Sequence, residues 1–190
     1  MTRRDKDETP RKSPWTDMPG ERRARRRRLG TIAGAGLALA TLPLIFEPSI
    51  RLLWNASPSV PVGLYHVARA EPRVGDLVVV RPPESVERLA VLRRYLGPGV
   101  PLLKPIVATA GAEVCRYGGR VEIDGEPAAF ALVADRLGRP LPGWSGCRTL
   151  RQGEYFLLAP ATLTSFDSRY FGPVDRGTII GRATPIWTGS

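Results

Sequence analysis

Apolar and polar positions divide the chain into three stretches of different texture. Residues 1–20 are polar, contain prolines and show no apolar periodicity, which predicts a disordered tail. The basic string Arg22-Arg23-Ala24-Arg25-Arg26-Arg27-Arg28 follows, and then residues 29–46, eighteen positions without a charge. That run is at the short end for a helix that crosses a bilayer, which takes about 20 apolar residues. It is also longer than the h-region of a cleaved signal peptide, and Glu47-Pro48-Ser49-Ile50 does not resemble a small-x-small cleavage site. The expectation is an uncleaved anchor over 29–47. Arginines on its N-terminal side predict that residues 1–28 stay in the cytoplasm and that everything after Glu47 is exported. The topology expected is single-pass in a bacterial inner membrane, with a periplasmic domain over 48–190.

Beyond the anchor the pattern changes to short runs rich in Val, Ile, Leu and aromatics, punctuated by turns such as Gly97-Pro98-Gly99 and Gly118-Gly119. These runs predict strands over 63–68, 76–81, 102–109, 120–123, 154–158 and 178–186. Asp124-Gly125, directly after Val121-Glu122-Ile123, is a hairpin-turn signal. One amphipathic helix is predicted, capped by Ser85, with Val86, Leu89, Ala90 and Leu92 as its apolar stripe and Gly97-Pro98 as its end. The fold class expected is mainly β, an antiparallel sheet domain with one short helix, preceded by a single transmembrane helix.

Charge sharpens this picture. The formal net charge is +10, but residues 1–28 carry +6 of it and the remaining 162 residues only +4. The basicity belongs to the tail, where membrane topology and attraction to anionic lipid account for it, so no nucleic-acid partner is expected. A single histidine, His66, and two cysteines without CxxC spacing exclude an ordinary Cys/His zinc site; no metal and no cofactor are expected. His66 follows Ser59 by only seven residues, on the next predicted strand, and is set aside as a catalytic base. In an exported domain Cys115 and Cys147 are expected to form a disulfide.

Past residue 28 one lysine, Lys104, stands among sixteen arginines, inside Pro101-Leu102-Leu103-Lys104-Pro105-Ile106-Val107. An ammonium among such neighbours is poorly solvated and its pKa falls, a response closed to arginine. Either compositional bias left one lysine behind, or the position requires an amine that can lose its proton. Two further segments carry candidate chemistry. In Asn55-Ala56-Ser57-Pro58-Ser59-Val60-Pro61-Val62-Gly63-Leu64-Tyr65, prolines stiffen a turn able to present a hydroxyl, or simply link anchor to domain; its first three residues also match a glycosylation sequon. In Ser165-Phe166-Asp167-Ser168-Arg169-Tyr170, an Asp and an Arg stand two apart, as in many surface turns with a weak salt bridge.

Taken in order after an N-in anchor, these three segments resemble the signal peptidase I superfamily of membrane-anchored serine proteases, and more closely its TraF-type conjugative transfer branch. The resemblance covers roughly residues 48–187. It implies Ser59 as nucleophile, Lys104 as general base, and the Ser57 hydroxyl with the Ser59 amide as oxyanion hole. Ser165 would orient the lysine, and Asp167 with Arg169 would brace the site. It further implies a serine endopeptidase acting on a protein substrate, a conjugative pilin precursor or another exported protein, with cyclisation of the product in some relatives and conjugation components as partners. Two departures stand out: Pro105 where many signal peptidases I have Arg, and Ala159-Pro160-Ala161 where Gly-Asp-Asn usually opens the last box. Pro105 predicts an edge or a bulge beside the lysine strand. Two other readings remain open on sequence, a general signal peptidase for secreted preproteins and a non-catalytic anchored β-domain of a conjugation or secretion apparatus.

Overall fold

The computed structural model of the chain describes residues 28–37, 39, 41 and 51–189. The chain divides into two units, Met1–Pro48 and Ser49–Ser190. In the first, residues 28–37 are helical and exposed. The expected tail and much of the expected anchor lie outside the described residues, among which no helix is long and apolar enough to cross a membrane.

The second unit is mainly β. Its strands are β1 (Leu52–Asn55), β2 (Gly63–Ala68), β3 (Leu77–Val80), β4 (Leu102–Ala108), β5 (Glu113–Tyr117), β6 (Arg120–Ile123), β7 (Glu126–Phe130), β8 (Gly146–Thr149), β9 (Glu154–Leu157), β10 (Val174–Asp175) and β11 (Ile179–Thr188). Seven of them form one sheet in the order β1-β2-β11-β3-β4-β9-β10, and four form a second in the order β7-β6-β5-β8. Every pairing is antiparallel. Chain-distant β11 enters between β2 and β3, and so ties the N-terminal hairpin to the rest of the sheet.

Three apolar clusters fill the interior. One face of the large sheet gathers Val78, Val80, Leu102, Ile106, Tyr155 and Leu157. The other gathers Val60, Tyr65, Val67, Val79 and Leu103. The change of cluster between Val78 and Val79, and between Leu102 and Leu103, is the period-two alternation of a strand with both faces covered. A third cluster, Ala108, Val114, Val121, Leu150 and Phe156, joins the small sheet to the large one.

Strands that alternate or run apolar match the sequence expectation to within two residues at each end. Strands β1, β5, β7, β8 and β10 were not foreseen, and β7 and β8 lack that signature. β8 is exposed at all four positions and is held by pairing to β5. β7 carries Pro127 beside a register shift at its pairing with β6, consistent with its place at the sheet edge.

The helix differs from expectation at both ends. α1 spans Glu84–Leu92, with Pro83 rather than Ser85 at the N-cap position and no side-chain cap. It stops well before Gly97 because Arg94 takes φ 60°; the Arg94 N–H then donates to Val91 O (3.0 Å) and the Tyr95 N–H to Ala90 O (2.8 Å). That is a Schellman ending with arginine in the usual glycine place. Leu92, expected on the apolar stripe, is 82% exposed. A second helix, α2, is one turn at Ser168–Phe171.

Cys115 and Cys147 face each other across β5 and β8 and are bonded. Closing a loop of 32 residues removes unfolded-state entropy worth about 3–4 kcal/mol. Replacing both cysteines by alanine is expected to lower the unfolding free energy by about that amount, read by urea denaturation of the two proteins side by side.

Candidate active site

β4 lies inside the large sheet, and its alternation puts Leu102, Lys104 and Ile106 on one face. Lys104 thus occupies a slot in an apolar row, opposite Val78 in the register, and is 4% exposed. Loss of hydration brings its pKa down to about 8; the Asp167 carboxylate opposes that fall and the Arg169 guanidinium reinforces it.

Pro105 does not put β4 at an edge, since β3 and β9 flank it. Its carbonyl accepts from Leu158 N–H (3.1 Å), one residue past the end of β9, and the β4–β9 register is broken between Ile106 and Ala108. The missing donor therefore falls at the end of the β4–β9 ladder, next to a bulge.

The Lys104 Nζ is 2.7 Å from Ser59 Oγ and 2.9 Å from Ser165 Oγ. The Ser57 Oγ lies 3.0 Å from Ser59 Oγ and accepts from Ser59 N–H at 3.5 Å. A neutral amine has one lone pair and two N–H groups, so it can take the Ser59 proton while donating to Ser165. Residues that are 45 and 61 positions apart in sequence from the lysine are thus brought to one nitrogen.

The turn that carries Ser57 and Ser59 is built around Asn55, at the end of β1. Its amide nitrogen donates to Ser57 O (2.9 Å), Val60 O (3.1 Å) and Pro61 O (3.0 Å), while its oxygen accepts from Ser57 N–H (3.1 Å). Tyr65 on β2 adds a hydroxyl bond to Pro61 O (2.6 Å), and Val60 is buried beneath the turn. Buried and fully engaged, Asn55 is no glycosylation acceptor; it is a structural hub that the sequon reading missed. Its position in the string, two before Ser57, was the available signal. Gly63 is needed here because β11 crosses closely: a Cβ would stand 2.1 Å from Trp187 O.

Ser165 is positioned by the last segment, which is interior and no surface turn. Asp167 and Arg169 are both wholly buried and paired side on, Nε to Oδ1 at 2.8 Å and a terminal nitrogen to Oδ2 at 3.1 Å. Asp167 also accepts from Ala159 N–H (3.0 Å) and Arg169 N–H (3.2 Å). Arg169 spends its other donors on Ala159 O (2.8 Å), Phe130 O (3.2 Å) and Leu163 O (3.4 Å). Every polar atom of the pair is satisfied, the condition under which a buried ion pair is tolerated. Arg116 on β5, unremarked in the sequence, donates to Arg169 O (2.7 Å), and Trp144 Nε1 donates to Ser168 O (3.0 Å). Gly143 lets the strap carrying Trp144 pass over Arg116, whose guanidinium would lie 2.5 Å from a Cβ there.

Ser57, Ser59, Lys104 and Ser165 open into a cavity of about 350 Å³ whose apolar wall includes Leu96, Leu102, Leu132 and Phe166. His66 is exposed on β2 and lines no part of it. Cys115 and Cys147, with Glu113, are the described residues near enough to share a metal ion, but their sulfurs are joined to each other.

The family described as "Signal peptidase, peptidase S26" matches residues 26–188. The chain is 35% identical to a "Probable conjugal transfer protein TraF" of Sinorhizobium fredii over 169 residues, 80% of this chain and 88% of that protein. It is 34% identical to a "Plasmid transfer protein TraF" of Escherichia coli over 165 residues, 82% and 91% of the two. A "Conjugal transfer protein TraF" of Agrobacterium fabrum is 36% identical over 145 residues, 70% of this chain and 81% of that one. Among solved structures, a signal peptidase I from Enterococcus faecalis aligns with TM-score 0.36 and 19% identity, covering 62% of this chain and 100% of its own.

Because burial lowers the lysine pKa from 10.5 to about 8, the folded protein binds fewer protons than the unfolded chain between those values. The cost of burial is therefore full below pH 8 and fades as pH rises toward 10.5. Relative to Lys104→Met, the wild-type chain should gain on the order of 2–3 kcal/mol of stability between pH 7 and pH 10. Chemical unfolding of both proteins at the two pH values, compared as a double difference, reads this gain; a flat difference would contradict the lowered pKa.

Proposed function

The chain belongs to the signal peptidase S26 family, and we propose that it is a membrane-anchored serine endopeptidase using a Ser59–Lys104 dyad on an exported protein of a conjugation apparatus, a pilin precursor foremost. The observation that carries this reading is the 2.7 Å contact between Ser59 Oγ and a buried amine whose pKa has fallen to about 8. Asn55, Gly63 and Tyr65 hold the hydroxyl in place, and Ser165 holds the amine, so little ordering remains for the reaction itself.

In the forward step the neutral amine takes the Ser59 proton as Oγ attacks the scissile carbonyl. The carbonyl oxygen becomes an oxyanion facing the Ser59 N–H and the Ser57 hydroxyl, which must turn from its neighbouring serine to donate; such a donor is worth about 3 kcal/mol. The Lys104 ammonium then gives its proton to the leaving amine as the C–N bond breaks. Water, deprotonated by the same lysine, attacks the acyl-serine ester, and the proton returns to Ser59 with release of the acid. An amine of the same acyl chain can replace water at this last step and give a cyclic amide.

The names of the TraF relatives support a conjugation setting. Placement at the periplasmic face of the inner membrane rests on the charge asymmetry around residues 29–46. It draws further support from an exposed apolar surface on β1 and β11, where Leu52, Trp54, Ile186 and Trp187 are each more than half exposed and the two indoles stack at 6.0 Å. Tryptophans of this kind suit the interfacial zone of a bilayer.

Incubation of the detergent-solubilised chain with a pilin precursor, and with a secreted preprotein for comparison, tests the reading by intact mass. Loss of a peptide is expected from the pilin precursor, and a further loss of one water marks cyclisation. Ser59→Ala and Lys104→Ala should each abolish processing without unfolding the domain; processing by both variants would end the dyad proposal. The active base is the unprotonated lysine, so kcat/KM should rise about tenfold per pH unit below 8 and level off above it.

A further inference from the structure

The cavity at Ser59 has a second wall, formed by the chain between Leu132 and Leu141, and this wall is built around one carboxylate. Asp135 accepts from Tyr95 Oη (2.5 Å), from Arg139 Nε (2.7 Å), and from the Leu137 and Arg139 N–H groups (2.9 and 3.0 Å). Backbone bonds from Asp135 N–H to Arg139 O (2.9 Å) and from Gly138 N–H to Asp135 O (2.9 Å) close the same turn. It is latched to the end of α1, where Arg93 donates to Pro140 O (2.7 Å) and the Arg139 guanidinium stands 5.7 Å from the Tyr95 ring centre. The Asp135 carboxyl is accordingly held below the ordinary range, mainly by the Tyr95 hydroxyl. A turn cross-braced this way is rigid, and what it presents at its tip is set by the two residues whose side chains it does not use internally.

Those residues are Arg136 and Leu137. Both line the cavity and both are exposed, Leu137 at 75%. Four charged side chains line this cavity, and three are matched on the chain: Lys104 by Ser59 and Ser165, Asp135 and Arg139 by each other. Arg136 alone of the four, all within the described residues, has no hydrogen bond or ion pair on the chain. An unmatched guanidinium beside an exposed leucine, held over a cleft by an internally satisfied turn, is arranged to meet a carboxylate next to an apolar side chain.

We propose that Arg136 is a specificity-determining residue that pairs with an acidic side chain of the substrate close to the scissile bond, with Leu137 covering the apolar residue beside it. This inference rests on the peptidase reading above for the identity of the occupant.

Binding tests it without requiring turnover. The full-length Ser59→Ala chain in detergent micelles is titrated with fluorescent decapeptides of small apolar residues, in which one Glu or one Gln is walked through each position. At one position Glu should bind about tenfold more tightly than Gln, and the preference should shrink in high salt. Arg136→Gln should bind the two peptides alike, and Arg136→Glu should instead favour Lys at that position. No position with a Glu preference, or a preference unchanged in Arg136→Gln, overturns the inference. Cleavage of the same Gln peptides by the chain with Ser59 intact is scored separately, so a failure of the peptidase reading shows as binding without cleavage.

Discussion

The arrangement depends on one buried amine. Lys104 is placed where strand alternation calls for an apolar side chain, in the row between Leu102 and Ile106 and across from Val78. In water an ammonium at neutral pH is a poor base; in this row it loses hydration and its pKa comes down to about 8. No special geometry of the lysine itself is required for this. What is required is a sheet with both faces covered, so that a residue on a central strand has nowhere to snorkel. The seven-stranded order makes β4 an inner strand, and the apolar clusters on the two faces supply the cover.

A desolvated amine needs partners that do not recharge it, and the surroundings divide that labour. The two atoms in contact with Nζ are hydroxyl oxygens, which accept or donate a hydrogen bond and bring no net charge. The nearby carboxylate is neutralised before the lysine can feel it fully, since Asp167 is bonded on both oxygens by Arg169. Their opposing effects on Lys104 leave burial as the dominant influence. The pair also sets the backbone of the segment that holds Ser165, through bonds from Arg169 to Ala159 O and Leu163 O. An ion pair of this kind is expensive to bury, and its use here is positional rather than stabilising.

How much of this could be read in advance follows from what each residue's signal consists of. The long apolar or alternating strands were legible because periodicity survives in the sequence, as for Gly63–Ala68 and Arg120–Ile123. β8 was not, because a strand exposed at every position has no pattern and owes its conformation to a partner. The helix end was misplaced because Arg94 adopts the left-handed turn usually left to glycine, and Gly97 further on was the more conspicuous stop. Within the site, Ser57, Ser59, Lys104, Ser165, Asp167 and Arg169 were named from sequence, and the structure brings them together around one cavity wall and the segment behind it. Arg116, Trp144 and the Asp135 turn were not named, and Asn55 was named only within a string and as a sequon. Arg116, Trp144 and the latch of Asp135 to Tyr95 act through bonds to groups remote in sequence, 53 positions apart for Arg116 and Arg169 and 40 for Tyr95 and Asp135. Such bonds leave no local trace.

The two walls of the cleft are held in different ways. Lys104 lies on a central strand of the large sheet, where alternation dictates direction and a one-residue slip would carry it to the opposite face with Leu103. Chemistry placed there is protected by the register itself. The far wall of the cleft is different: it is a turn held by Asp135, Tyr95 and Arg139, tied to α1 through side chains and one helix ending. Its tip residues can be exchanged without touching any strand pairing or any bond to Lys104. On the proposed function, Lys104 of the Ser59–Lys104 pair stands under the constraint of the sheet, while Arg136 and Leu137 stand on a braced turn outside it.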